Sequence, residues 1–327
     1  MSDRSDPDPE ADSAAVLAPS IERYLSNLET QRKLSGHTLT SYRRELAVLA
    51  RLAEAEAPGS RIEALGDPQI RRYAARLHAR GLAARSIARA LSAWRGYFTW
   101  LAQYEDGSGN PVADVHPPRL AKRLPKALSE TMTTQLLDAS DDGTEPEAIA
   151  LRDAAIFELF YSSGLRLSEL VALDVGYAKE ALHVSTGWID LAAAEVTVTG
   201  KGGKRRTVPV GAKALAAIGR WLSMRTAWLK ADPHPLFLSS RGERLSGRSI
   251  QQRLKAHAQR AGIPANVHPH VLRHSFASHL LQASGDLRAV QELLGHASIA
   301  ATQVYTSLDF QRLSAVYDAA HPRARRK

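Results

Sequence analysis

The sequence predicts a mainly α-helical protein with one small antiparallel β-sheet, divided into an N-terminal four-helix domain and a larger C-terminal domain. Three observations carry this. Apolar residues recur at helical spacing from about residue 20 to 103 and again beyond Ala127. The period shortens to two only around Glu195–Val198 and Arg206–Val210. Between the two helical regions lies a stretch rich in Gly, Pro and basic residues with no apolar period.

Residues 1–15 are rich in Asp, Ser and Pro and read as a disordered tail. The N-terminal domain is expected over 16–105. Ile21, Leu25 and Leu28 share one helical face behind a Ser20 cap; Leu39, Tyr42, Leu46, Leu49 and Leu52 form a second stripe behind Thr38. A third helix runs from Pro68 to Gly81, and a fourth carries Ile87, Leu91, Trp94, Phe98 and Leu101. Residues 106–126 are the expected linker, and 127–327 the larger domain. In it, helices are expected at Glu130–Asp138, Glu147–Ser162, Leu167–Leu173, Ala212–Lys230, Ser249–Ala261, Leu272–Ser284, Val290–Leu294 and Phe310–Ala320.

With 327 residues, 44% apolar and 24% charged, the chain is neither disordered nor fibrous. The net charge is +9, yet the first 12 residues hold five acids and one base, so the remainder is more basic still. That balance suits a polyanionic partner. No cysteine occurs, which excludes a disulfide scaffold, a thiolate metal site and thiol catalysis. No apolar run approaches membrane-span length and the acidic start lacks a signal peptide's apolar stretch, so a soluble, cytoplasmic protein is expected.

Four segments carry candidate chemistry. Gly200-Lys201-Gly202-Gly203-Lys204 forms a lysine-bearing hairpin turn; it lacks P-loop spacing and does not open a helix, so nucleotide binding is rejected. In His268-Pro-His270-Val-Leu-Arg273-His274, two imidazoles stand four apart, but the Glu of a His-Glu-x-x-His site is missing. His270 and Arg273, three apart, instead suit one phosphate, through a planar fork and a group that moves protons near neutral pH. Leu294-Gly295-His296 is followed by Tyr305 in TQVYT, and Arg166 stands after a glycine break in SSGLRLSEL. Each segment alone also reads as structural.

Taken together and in order, Arg166, Lys201, His270-x-x-Arg273, His296 and Tyr305 resemble the tyrosine site-specific recombinase (phage integrase) family. The resemblance runs from about residue 20 to the end, and the closing LDFQRLSAVYDAAHPRARRK resembles the chromosomal recombinases of bacteria within that family. It implies an N-terminal core-binding (SAM-like) DNA clamp and a C-terminal catalytic domain. It also implies DNA cleavage by Tyr305 through a 3′-phosphotyrosyl intermediate, with Arg166, Arg273 and His296 on the phosphate oxygens. Lys201 is then the acid for the leaving 5′-oxygen, and His270 the base or proton relay.

No cofactor or metal is implied. The implied partners are a double-stranded DNA recombination site, a paralogous recombinase in a cyclic heterotetramer, and a septal DNA translocase. Arg43, Arg44, Arg71, Arg72, Arg85 and Arg89 are the candidate phosphate contacts of the clamp, and Asp309–Ala320 resembles the element that docks on a neighbouring subunit. The interval between Arg166 and Lys201 exceeds the family pattern, with the surplus near Tyr177–Trp188. The same chemistry would serve a mobile-element integrase or a type IB topoisomerase, and a non-catalytic DNA-binding protein is the bland alternative.

Overall fold

A computed structural model describes residues 17–31, 34, 36–105, 109–118, 127–139, 143, 145–200, 203–263, 266–295 and 307–324. The chain divides into two compact units, 1–122 and 123–327.

The first unit contains α1 (Pro19–Thr30), α2 (Gly36–Glu56), α3 (Asp67–Ala79) and α4 (Ala84–Tyr104). The stripe expected on α4 is its buried face: Ile87, Leu91, Trp94, Phe98 and Leu101 are each at most 2% exposed. Trp94 donates its indole N–H to the Glu45 carbonyl at 2.7 Å, so this large ring is buried without an orphaned donor. Two expected caps lie inside their helices. Ser20 follows Pro19 in the first turn of α1, where it donates to the Glu63 carboxylate and meets the Tyr97 hydroxyl at 2.8 Å; Thr38 lies within α2. Part of the expected linker is core. Val112 and Val115 are buried against this unit, with Arg95 donating to both their carbonyls.

The second unit is built around α6 (Glu147–Ser163), whose Ile156, Phe157, Leu159, Phe160 and Tyr161 are all buried. Around it stand α5 (Glu130–Asp138), α7 (Leu167–Val171), α8 (Ala212–Arg225), α9 (Gly247–Arg260), α10 (Pro269–Ser284), α11 (Leu287–Leu294) and α12 (Ser307–Ala320). One four-stranded sheet runs in the order β1 (Leu173–Asp174), β2 (Gly187–Asp190), β3 (Glu195–Thr199), β4 (Arg205–Pro209). The expected hairpin is β3–β4, antiparallel, with Val196 opposite Val208 and Val198 opposite Arg206. The sheet is mixed, because β1 pairs parallel to β2. β2 begins at the end of the segment read as surplus loop, with Gly187 and Trp188. Ile189 turns into the core, and Trp188 packs outward against Tyr177 and under the Arg205 guanidinium. The rest of that segment folds back through a Lys179–Val184 bridge, tied down where His183 meets the buried Asp174 carboxylate at 2.8 Å.

The C-terminal segment packs on its own chain. Tyr317 is fully buried and shares a 2.8 Å hydrogen bond with Ser162, which accepts the Gly211 N–H at 2.7 Å. Arg323 donates to Glu158 at 2.9 Å and to Asp138 at 2.7 Å. Burial lowers the His321 imidazole to about 3, so it packs neutral beside the Tyr317 ring.

Candidate functional site: an arginine cluster at a helix terminus

The site begins where α6 stops. Gly164 ends that helix at φ +56°, and a Cβ there would stand 2.4 Å from the Phe276 ring, so both backbone and space require glycine. The turn frees the Gly164 carbonyl, which accepts from Arg273 Nη1 at 2.5 Å. Two residues on, Arg166 caps α7. Its backbone N–H donates to Glu169 Oε2 at 2.7 Å and its Nη1 to Glu169 Oε1 at 2.8 Å. Glu169 also receives Arg206 from β4, with Nη1 on Oε1 at 2.7 Å and Nη2 on Oε2 at 2.8 Å. Four donors thus fill the four acceptor positions of one carboxylate.

Arg166, Arg206 and Arg273 all converge at the end of α11. Leu293 O accepts from Arg206 Nε at 3.0 Å, Leu294 O from Arg273 Nη2 at 2.7 Å, and Gly295 O lies 3.4 Å from Arg166 Nη2. The last carbonyls of a helix have no partner within it and carry its negative partial charge, which is why three guanidiniums can gather there. Gly295, at φ +65°, closes over Arg206; a Cβ would lie 3.0 Å from Arg206 Cδ.

The electrostatics follow from burial and neighbours. Burial, then repulsion from Arg166 and Arg206, lowers Arg273 to about 10, still cationic at neutral pH. Burial alone would raise the Glu169 carboxyl, but its hydrogen bonds to Arg206 and Arg166 outweigh this and hold it at about 2. Arg206 and Arg273 are buried, whereas the Arg166 side chain is 35% exposed. One cation therefore faces solvent on a cluster with more positive than negative charge, an arrangement suited to seizing an anion.

Of the sequence-predicted set, Arg166 and Arg273 come together. His270 lies exposed in the first turn of α10, its ring 6.1 Å from that of His268, whose pKa burial and His270 both lower. Lys201, His296 and Tyr305 lie outside the described residues, as do 201–202 and 296–306 generally. Their flanks are fixed: Lys201 follows β3, His296 follows Gly295, and Tyr305 stands two residues before α12. His279 is structural: its Nε2 donates to the Leu128 carbonyl at 2.8 Å and its Nδ1 meets the Tyr161 hydroxyl at 2.9 Å. Among the described residues no group of three or more His, Asp or Glu side chains is arranged to hold a metal.

Five of the six candidate clamp arginines have carboxylate partners within their own unit: Arg43 on Glu22, Arg44 and Arg89 on Glu45, Arg71 on Asp67, Arg72 on Glu56. Arg85 is exposed.

Sequence reasoning missed Glu169 and Arg206. A signal existed for each: Glu169 stands three residues after Arg166 on the same short helix, and Arg206 occupies the inward register of β4 with Val208.

Comparison with known proteins agrees with this architecture. Residues 126–312 match the phage integrase family, and residues 21–105 match the phage integrase N-terminal SAM-like domain. The chain belongs to the phage integrase family, the tyrosine recombinases, which break and rejoin DNA. It is 56% identical over 99% of both chains to tyrosine recombinase XerC 1 of Ralstonia nicotianae. It is 47% identical to tyrosine recombinase XerC of Alcanivorax borkumensis, over 94% of this chain and 95% of that one. The fold is shared with a lambda integrase dimer bound to a COC′ core site (TM-score 0.62, 18% identity, 88% of this chain and 98% of that chain). It is shared also with XerH bound to difH DNA after cleavage (TM-score 0.61, 19% identity, 92% and 85%).

Proposed function

We propose that this chain is a XerC-type chromosomal recombinase. It acts in the cytoplasm with a XerD-type paralogue, as a cyclic heterotetramer on a double-stranded recombination site, to resolve chromosome dimers under an FtsK-type septal DNA translocase. Tyr305 attacks the scissile phosphorus and forms a 3′-phosphotyrosyl bond while the 5′-oxygen departs. Arg166 and Arg273 hold the non-bridging oxygens, His296 donates a further hydrogen bond, Lys201 protonates the leaving oxygen, and His270 takes or relays the phenol proton. The phosphotyrosyl ester retains the energy of the broken linkage, so a 5′-hydroxyl from another duplex reverses the step without ATP. Residues 16–105 clamp the duplex through Arg43, Arg44, Arg71, Arg72, Arg85 and Arg89, joined by 106–126 to the catalytic domain.

The observation that carries this reading is the pair Arg166 and Arg273, bound to adjacent carbonyls at the terminus that leads directly into His296. An associative displacement at an anionic phosphodiester builds charge on the oxygens such a pair can reach, and guanidiniums stay charged throughout. Relatives named XerC match over 94–99% of the chain, which supports the chromosomal role.

The test is recombination of a supercoiled plasmid carrying two host chromosomal sites. Product is expected only when this chain and its paralogue are both present. Relaxation by this chain alone, without site pairing, would mark a topoisomerase and overturn the role.

A further inference from the structure

Arg206 belongs to none of the roles above, yet it is 7% exposed and binds both the carboxylate that holds Arg166 and the end of α11. Its Nη1 and Nη2 hold Glu169 at 2.7 and 2.8 Å, and its Nε holds the Leu293 carbonyl at 3.0 Å. A Cβ at Gly200, which leads into the Lys201 turn, would stand 3.7 Å from Nη1. We propose that Arg206 is a positioning residue for DNA cleavage: by occupying Glu169 and the end of α11, it keeps the charge of Arg166 available to the scissile phosphate. The proposal rests on the recombinase reading of the site.

Glu169 has one negative charge and two guanidinium partners, each in contact with Oε1. With both present, neither is fully neutralised. Without Arg206, the carboxylate would pair with Arg166 alone, and the cation meant for the phosphate would be largely cancelled. The buried carboxylate would also lose two of its four donors and become free to turn, shifting Arg166 with it. Arg206 itself is buried, with three of its five N–H donors on Glu169 and the Leu293 carbonyl, so it acts through Glu169 and not on DNA.

This mechanism leaves a chemical signature. A methylphosphonate at the scissile position replaces a non-bridging oxygen with methyl and removes the negative charge that Arg166 would neutralise. The experiment is single-turnover cleavage of a nicked duplex by full-length protein, with phosphate or methylphosphonate at that position, comparing wild type, Arg206→Gln and Arg206→Lys. Poor folding lowers the amplitude, while the rate constant of the folded fraction stays readable. On phosphate, Arg206→Gln is expected to be slower by about 10²-fold, the scale of a displaced catalytic group, and Arg206→Lys, which keeps the charge, by less. On methylphosphonate both are expected within about threefold of wild type, well inside that scale.

Equal slowing on both substrates would reduce Arg206 to general scaffolding and overturn the proposal. Recovery of Arg206→Gln on a duplex with sulfur at the 5′-bridging position would place its effect on the Lys201 acid step and overturn it too. Failure of the wild type to form any adduct on phosphate would instead strike at the recombinase reading.

Discussion

Arg166 and Arg273 reach the carbonyls of two consecutive residues, Gly295 at 3.4 Å and Leu294 at 2.7 Å, although one side chain starts at the cap of α7 and the other in α10. The carbonyls of a helix terminus here supply partial negative charge to cations that would otherwise repel, the part that phosphate oxygens take in the proposed reaction. A site assembled this way needs little rearrangement to accept a phosphodiester, and its arginines should be sensitive to any substitution that keeps charge but loses the fork.

Arg273→Lys tests that sensitivity. A lysine offers one point of charge and cannot reach both Gly164 O and Leu294 O, and the burial and neighbouring cations that lower Arg273 to about 10 would act on it as well. Starting from an ordinary value of about 10.4, it would be pushed toward neutrality. Cleavage by Arg273→Lys is expected to be on the order of 10²-fold slower at pH 8 and to recover part of that loss as pH falls to 6. Wild type, charged throughout that window, should show no such recovery. Single-turnover rates against pH decide it.

Glu169 makes a prediction about stability. Its folded pKa of about 2 lies below the unfolded value of 4.5, so the carboxylate stabilises the fold above pH 4.5, and this contribution is lost as pH falls toward 2. The span corresponds to roughly 3 kcal/mol. Urea midpoints measured from pH 6 to pH 3 should fall less steeply for Glu169→Gln than for wild type, whatever the variant's stability at neutral pH. Parallel slopes would mean that Glu169 is not the anion that Arg166 and Arg206 share.

Much of this was legible in the chain. The helices of both units follow apolar stripes whose spacing depends only on local geometry, and the β3–β4 hairpin declares itself through alternation around its glycine turn. β2 was not legible because four residues, Gly187 to Asp190, become a strand only by pairing with β1 and β3. Val112 and Val115 were hidden in a Pro- and Gly-rich stretch whose burial depends on Arg95 of α4. Arg166 and Arg273 were readable from motif spacing, whereas Arg206 and Glu169 were not, since a buried charge is distinguished from a surface one only by its tertiary partner.

Lys201→Ala should lose cleavage of an ordinary duplex by about 10²- to 10⁴-fold, the usual scale for a general acid. A 5′-bridging sulfur leaves without a proton and should largely restore the rate. Lack of rescue would remove Lys201 from the acid role.

Affinity for duplex DNA should fall steeply with salt, by about 10³-fold or more between 50 and 200 mM if six or more phosphates are held. The candidate clamp arginines that pair with carboxylates in the free protein do so largely at exposed positions, where such pairs are weak and exchange readily for phosphate. Titration at several salt concentrations gives the slope, and Arg85→Ala should make it shallower by about one.

The central claim is that a phenol displaces a sugar oxygen from phosphorus. Wild type and Tyr305→Phe are incubated with a nicked duplex carrying the chromosomal site, and trapped adducts are digested and sequenced by mass spectrometry. The expected result is a 3′-phosphoryl nucleotide on Tyr305 for wild type and duplex binding without adduct for the variant. An adduct on another side chain, or one that survives Tyr305→Phe, would contradict the account.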